Sequence, residues 1–583
     1  MILQLIFLVF ALVTPDSVLC WEKEPVVTVL DGQLRGTTMT TLDGNNFHAF
    51  LGIPYAEPPV DNRRFKAPGE PAPWEGIRNA TEEGSVCAQV PLMGDTFIGS
   101  EDCLYLNVYT RQLSETDMEL LPVLFWIHGG AFYAGDGGTE LNGPEFLMDQ
   151  EILLVTINYR LGPFGFLSSG NQVVPGNFGM KDSVMAMKWV RDNIDNFGGD
   201  NSRVTLHGYS SGSSMVHAHL FSPMSKGLFH AAIMQSGSLS NDCVLQGRPS
   251  GVMQVLGALV GCKEPHSSAL LHCLRDVPAS ELALATNSLP SWGVKIPTAW
   301  GPVVEWAGRD DIWEEEPFLV EEPEKLIAEG RIPNDVPVIS GITKDEGIGF
   351  GYFVAQSPDL LRQLENGFGT VARLAFCLKF SDKKYKSIKK FYFGDREIDE
   401  NERESMIKLY SDALFVWGQV SQSELIASAN EQPVYFYQFS FVGRISESMT
   451  LNISSEHLGG VGHADDLAYV FRRSVPFPDG KPDTEEYNTI KRMGRIIANF
   501  AATGNPTPEV DDLLPERWLP LLRDVQESAS NFRYLEISTE PSMVQGRPFS
   551  ERMEFWGKLT RKRKGKKKSP DTSSKISEEH DEL

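Results

Sequence analysis

Short runs of consecutive apolar residues recur along the chain. Between them lie stretches in which apolar positions return every three or four residues. Val123–Ile127, Ile152–Ile157, Val204–Leu206, Ala231–Met234, Val336–Ser340, Val434–Phe439 and Tyr534–Ile537 read as strands buried on both faces. Val184, Met187, Val190 and Ile194 stand at helical spacing in a helix over about Lys181–Ile194. Further helices begin near Ser213 and cover about Glu485–Phe500. Strands alternating with helices predict an α/β fold, a large, mostly parallel central sheet flanked by helices. Val26–Leu34 and Phe47–Ile53 read as an antiparallel hairpin at a sheet edge. The middle of the chain, about 240–330 and 350–430, lacks clear strands. It is expected to pack as helical insertions over one end of the sheet, where pocket walls are built. No internal repeat is present.

Composition narrows the partners. The 583 residues carry 53 basic and 78 acidic side chains, a formal net charge of −25. So acidic a surface repels nucleic acid and anionic membranes. Residues 1–20 are expected to be a signal peptide, with the apolar run Met1–Val13 too short to span a bilayer and Val18 and Cys20 before the cleavage point. No later segment offers about 20 uninterrupted apolar residues, so no stable membrane anchor is expected. Residues 21–557 are then the catalytic domain, and 558–583 a disordered basic tail containing Arg561–Lys568. The tail ends His580-Asp581-Glu582-Leu583, an address read by the retention receptor of the endoplasmic reticulum, which makes that lumen the expected location. In an oxidising lumen bridges are plausible. Of seven cysteines, Cys20 leaves with the signal. Cys87 with Cys103, and Cys262 with Cys273, would each close a short loop. Cys243 and Cys377 either pair with each other or stay free and buried. Asn79-Ala80-Thr81 and Asn452-Ile453-Ser454 are glycosylation sequons, whereas proline blocks Asn505-Pro506-Thr507.

The chemistry centres on Gly208-Tyr209-Ser210-Ser211-Gly212, which fits G-x-S-x-G between a strand and a helix. That is the setting of a nucleophile elbow, where small neighbours let the serine hold a strained turn. A serine hydroxyl needs a base, and the base an orienting acid, in the chain order serine, acid, histidine. His463, in a loop before an apolar turn, is the candidate base. Glu346, just past the strand Val336–Ser340, is the candidate acid, with Asp345 an equal alternative on this reading. The developing oxyanion needs preorganised N–H donors. His128-Gly129-Gly130-Ala131-Phe132 follows a strand and is an HGG-type loop, and the N–H of Ser211 is a further donor.

At these residues the sequence resembles the type-B carboxylesterase and cholinesterase family, and more narrowly its insect and liver-type carboxylesterases, over about residues 25–557. Phe197–Asp200 through Val204–Gly212 is similar to the family's nucleophile signature, and Glu101–Val108 to its second signature. The resemblance implies an α/β-hydrolase fold, a small-molecule ester substrate, no cofactor and no metal. It implies a triad of Ser210, Glu346 and His463, oxyanion donors at Gly130, Ala131 and Ser211, and the disulfides Cys87–Cys103 and Cys262–Cys273. It also implies ion pairs Arg64–Glu101 and Arg160–Asp182. The activity implied is ester hydrolysis through an acyl-enzyme. The alternative is a catalytically inactive, neuroligin-like adhesion member. The chain departs from the family pattern at Tyr209 and Ser211, which stand where Glu and Ala are usual, and at Ser183, where Gln is usual. The loop Cys87–Cys103 contains no tryptophan to receive a quaternary ammonium.

Overall fold

The computed structural model describes residues 24–560, except 93, 115–117, 241–242, 248, 294–298, 307–314, 447–459 and 474–480. The signal segment, Asn452 and residues 561–583 with His580–Leu583 lie outside the described residues. The helix Ser550–Thr560 runs on past residue 557 and buries Leu559.

The strands are β1 (Val26–Val29), β2 (Gly32–Arg35), β3 (Thr37–Thr40), β4 (Asn46–Pro54), β5 (Ile77–Asn79), β6 (Tyr105–Thr110), β7 (Leu121–Ile127), β8 (Leu153–Ile157), β9 (Gly199–Tyr209), β10 (Ala231–Gln235), β11 (Val338–Thr343), β12 (Val434–Phe439), β13 (Arg533–Ile537) and β14 (Ser542–Gln545). Eleven of them form one sheet in the order β14-β13-β12-β11-β10-β9-β7-β8-β6-β4-β3. From β8 through β13 neighbours run parallel, and the strands outside them run antiparallel. This is the α/β-hydrolase arrangement.

Alternation along β7 shows why the sheet is covered twice. Val123, Phe125 and Ile127 join one hydrophobic layer, while Leu124 and Trp126 join the other. Both layers exclude water, so the strand carries no polar side chain at all. The helices Phe178–Asn193 and Ser211–Phe221 close the first layer, and Glu485–Thr503 closes the second. The two stretches expected to be helical hold Pro249–Leu259, Ser267–Asp276, Pro358–Ala375, Asp382–Phe393 and Trp417–Ala429.

One expectation is corrected. Val26–Leu34 does not pair with Phe47–Ile53. It turns back on itself at Leu30-Asp31, so that Val29 faces Gly32, and β1, β2 and β5 make a separate small sheet. A two-residue loop next to a glycine with φ of 151° supplies the reversal. β4 instead pairs with β3 and with β6, which the apolar pattern did not single out.

Three disulfides cross-link the chain: Cys87–Cys103, Cys262–Cys273 and Cys243–Cys377. Arg64 grips Glu101 through two nitrogens, at 2.7 and 2.5 Å. Arg160 grips the fully buried Asp182 likewise, at 2.8 and 2.5 Å, and its backbone N–H adds a third bond to the same carboxylate. Asn79 is exposed on β5. Among the described residues no helix is long and apolar enough to cross a membrane.

Candidate active site

Parallel strands deliver their following loops to one edge of the sheet, where open α/β folds gather their sites. β7, β9, β10 and β11 all end there, and each is followed at once by polar groups. β9 leads into Ser210 and the helix Ser211–Phe221. Ser210 sits at φ 55°, ψ −121°, a conformation that L side chains rarely adopt. Its surroundings enforce it. A Cβ on Gly212 would lie 2.1 Å from the Ile127 carbonyl oxygen, so the helix packs against β7 at a distance only glycine permits. The Ser210 N–H is fixed on the Gln235 carbonyl at 2.8 Å.

His463 meets that hydroxyl, with Nε2 3.0 Å from Ser210 Oγ. Its Nδ1 lies 2.7 Å from Glu346 Oε2. An ionised carboxylate only accepts, so Nδ1 carries the proton and Nε2 is left as acceptor for the serine hydroxyl. Glu346 is fully buried, and its other oxygen accepts from Ser236 Oγ at 2.6 Å and from the Thr343 N–H at 2.8 Å. Asp345, the other acid of that loop, takes a different post. It receives the Val461 N–H at 3.2 Å, while its own N–H donates to the Val461 carbonyl, so it holds the loop that carries His463. Burial raises its carboxyl above the usual range.

The same loop has two more anchors that the sequence reading did not pick out. Asp465 accepts from the Gly462 N–H at 2.6 Å. Asp466, fully buried, accepts from the Tyr437 hydroxyl at 2.6 Å and from Gln235 Nε2 at 3.0 Å. Burial raises the Asp466 carboxyl, and the Tyr437 hydroxyl opposes the shift. The sequence trace of these anchors is the pair of aspartates two and three residues after His463.

Gly130 and Ala131 both have positive φ, 116° and 54°. The Gly130 carbonyl turns away to accept from the Tyr133 and Ala134 N–H groups. A Cβ on Gly130 would meet the Ala134 oxygen at 1.8 Å, so only glycine fits there. Among the described residues nothing accepts from the N–H of Gly130, Ala131 or Ser211. Ser211 opens a helix, whose first N–H groups have no partner within it.

These groups share one cavity of about 220 Å³, lined by Ser210, His463, Gly130, Ala131 and Ser211. The rest of its wall is mainly apolar. Phe350, Leu374, Tyr410 and Phe415 come from the helical insertions, and Trp292, Trp300 and Phe132 complete the aromatic lining. Among the described residues no Asp, Glu, Lys or Arg lines it. Phe415 lies on the π-helical turn Asp412–Val416, and its ring centroid is 4.1 Å from that of His463. Tyr209 approaches the same imidazole at 4.8 Å. No periodicity signals that π turn, so Phe415 was not legible as a site residue.

Comparison with known proteins points one way. The model of the carboxylesterase family matches residues 23–556. Esterase FE4 of Myzus persicae is 37% identical over 541 residues, 89% of this chain and 90% of that protein. Juvenile hormone esterase of Tribolium castaneum is 36% identical over 507 residues, 83% of this chain and 84% of that one. Pyrethroid hydrolase Ces2a of Mus musculus is 34% identical over 560 residues, 92% of each chain. Among solved structures, juvenile hormone esterase from Manduca sexta, with OTFP covalently attached, superposes with a TM-score of 0.80 at 30% identity. It covers 92% of this chain and 99% of that one.

Proposed function

The chain belongs to the carboxylesterase family and is a carboxylic ester hydrolase, and from that premise we propose that it works through Ser210, His463 and Glu346 by way of an acyl-enzyme. The observation that carries this reading is the unbroken hydrogen-bonded series from Ser210 Oγ through the imidazole to Glu346. Ser210 attacks the ester carbonyl as His463 Nε2 takes its proton. Glu346 fixes the ring and stabilises the imidazolium. The carbonyl oxygen becomes an oxyanion and is met by the N–H groups of Gly130, Ala131 and Ser211, which need no reorganisation at that moment. His463 returns the proton to the leaving alcohol. Water then attacks the acyl-enzyme by the same route. A complete triad facing a cavity counts against the non-catalytic adhesion reading.

The wall supports a substrate class. Among the described residues the wall carries no Asp, Glu, Lys or Arg, so uncharged and largely apolar esters are the substrates that bury there without an unpaired ion. The apolar run Met1–Val13 and the motif His580-Asp581-Glu582-Leu583 support a protein of the lumen of the endoplasmic reticulum, glycosylated at Asn79 and Asn452. The exposure of Asn79 supports the first of these sites.

Ser210→Ala should lower kcat for p-nitrophenyl acetate by about 10⁴-fold or more, since the nucleophile of such a triad cannot be replaced by its partners. Activity near that of the wild type would remove Ser210 from the role.

A further inference from the structure

We infer that the Cys243–Cys377 disulfide determines the specificity of the catalytic pocket, by limiting the girth of the group that the wall on either side of it admits. The inference rests on the esterase reading above.

The bridge joins residues 134 apart in sequence, with Cα atoms 5.1 Å apart. One end, Cys243, lies in the pocket wall, and the other, Cys377, follows two residues after the wall residue Ala375. Cys243 and Val244 line the cavity from one segment, and Leu374 and Ala375, just before Cys377, line it from the other. The same two segments also face away from it. Leu245, Gln246 and Gly247 on the first, and Lys379 on the second, line a separate cleft of about 1150 Å³. The chain at the bridge is therefore a partition, with the catalytic cavity on one side and the larger cleft on the other. Elsewhere a pocket wall is backed by close-packed core, which resists displacement. Here the cleft lies behind Leu245–Gly247 and Lys379, with the Gly301 backbone packed on the Val244 carbonyl, so a covalent tie between the two segments adds stiffness that the open side does not supply.

The hydrogen bonds show what the bridge adds. The first segment is held at its ends. The Leu239 N–H donates to His217 Nδ1 at 3.0 Å, Ser240 Oγ to the Gly418 carbonyl at 3.3 Å, and the Gln246 N–H to the Pro302 carbonyl at 2.9 Å. Cys243 lies between these anchors, and its carbonyl accepts from Gln246 Nε2 of the same segment at 3.1 Å. The second segment is a firm post. Phe376 is buried with its ring edge-on to Tyr410 at 4.8 Å, and the Leu378 carbonyl accepts from the Tyr385 hydroxyl at 2.5 Å. The disulfide ties the middle of the first segment to that post. Without it, a bulky acyl or alkoxy group could push Val244 outward towards the cleft.

The test compares full-length wild type with Cys243→Ser/Cys377→Ser on two ester series. One is p-nitrophenyl acetate, 2-methylpropanoate and 2,2-dimethylpropanoate. The other is phenyl, 1-naphthyl and 4-tert-butylphenyl acetate. In at least one series the bulky-to-small ratio of kcat/KM should rise about tenfold in the variant, the discrimination that one methylene in an apolar pocket commands. A merely stabilising bridge would lower kcat/KM for every ester together and leave both ratios unchanged, and that result overturns the inference. If the double variant does not fold, wild type is titrated with dithiothreitol, each bridge being scored by alkylation and mass spectrometry. The ratio must then rise as Cys243 and Cys377 become alkylated, and a flat ratio is again fatal. Hydrolysis of no ester by the wild type would instead defeat the esterase reading itself.

Discussion

Lowering the pH from 7.5 to 5.5 should cost this fold about 5 kcal/mol, because four histidines are buried as neutral rings. His128, His207, His217 and His219 are each no more than 3% exposed. Burial drives their imidazoles down, to about 4 for His128 and His207 and about 3 for His217 and His219. Among the described residues none of the four is hydrogen-bonded to a carboxylate that would reward a positive charge. His219 lies between the hydroxyls of Ser183 and Ser225, at 2.8 and 2.7 Å, and His217 accepts from the Leu239 N–H. In the unfolded chain the same rings take a proton near pH 6.5. A folded-state value below the unfolded one gives stability that is present above about 6.5 and is lost as the pH falls towards the folded values. The four rings together then forfeit about 5 kcal/mol over the two units. Asp345 and Asp466, whose carboxyls burial also raises, work against them, and so does Asp412. It is fully buried, with burial raising its carboxyl to about 6 despite Arg552 nearby. Its protonation returns less than about 1 kcal/mol across the same interval, so the histidines prevail. With a total stability of about 5–15 kcal/mol, the loss is decisive. Urea unfolding followed by tryptophan fluorescence at pH 7.5, 6.5 and 5.5 measures it. His219→Gln should remove about a quarter of the pH-dependent part. A stability at pH 5.5 within about 1 kcal/mol of that at pH 7.5 would refute the reasoning.

Two further outcomes are expected, one from the structure and one from the sequence. Arg160→Ala leaves the Asp182 carboxylate buried without its guanidinium, and thermal melts should show a loss of about 3–5 kcal/mol; a loss below about 1 would mean the pair is not holding the strand end to its helix. Deleting His580–Leu583 should move the protein from the cell into the culture medium, as read by immunoblot of both fractions, and undiminished retention would defeat the lumenal address.

Much of the central sheet was legible in the sequence because its strands are buried on both faces. Val123–Ile127 writes that burial as an unbroken apolar run and Val434–Phe439 as one interrupted at Gln438, and their order with the intervening helices leaves few ways to build the sheet. The edges were harder to read. β1 and β2 look like one strand until the turn at Leu30-Asp31 is seen, and half-exposed β3 and β5 lack the apolar run altogether. Ser210 and the Gly130-Ala131 loop were legible for another reason. A strained turn and a close approach demand particular small residues next to one another, and adjacent requirements leave a motif.

What tertiary structure alone decided is every pairing across distance. Glu346 and Asp345 are chemically alike and adjacent. Only the position of the loop above them gives one carboxylate to the His463 ring and the other to the Val461 backbone. Cys243 and Cys377 were an open question until the fold brought their Cα atoms within 5.1 Å. Phe415 reaches His463 through a π turn that no spacing announces. Local sequence fixes what a short segment must do with its own backbone. Which side chains then meet depends on how the whole sheet twists and packs, a property spread over hundreds of residues and recorded in none of them singly.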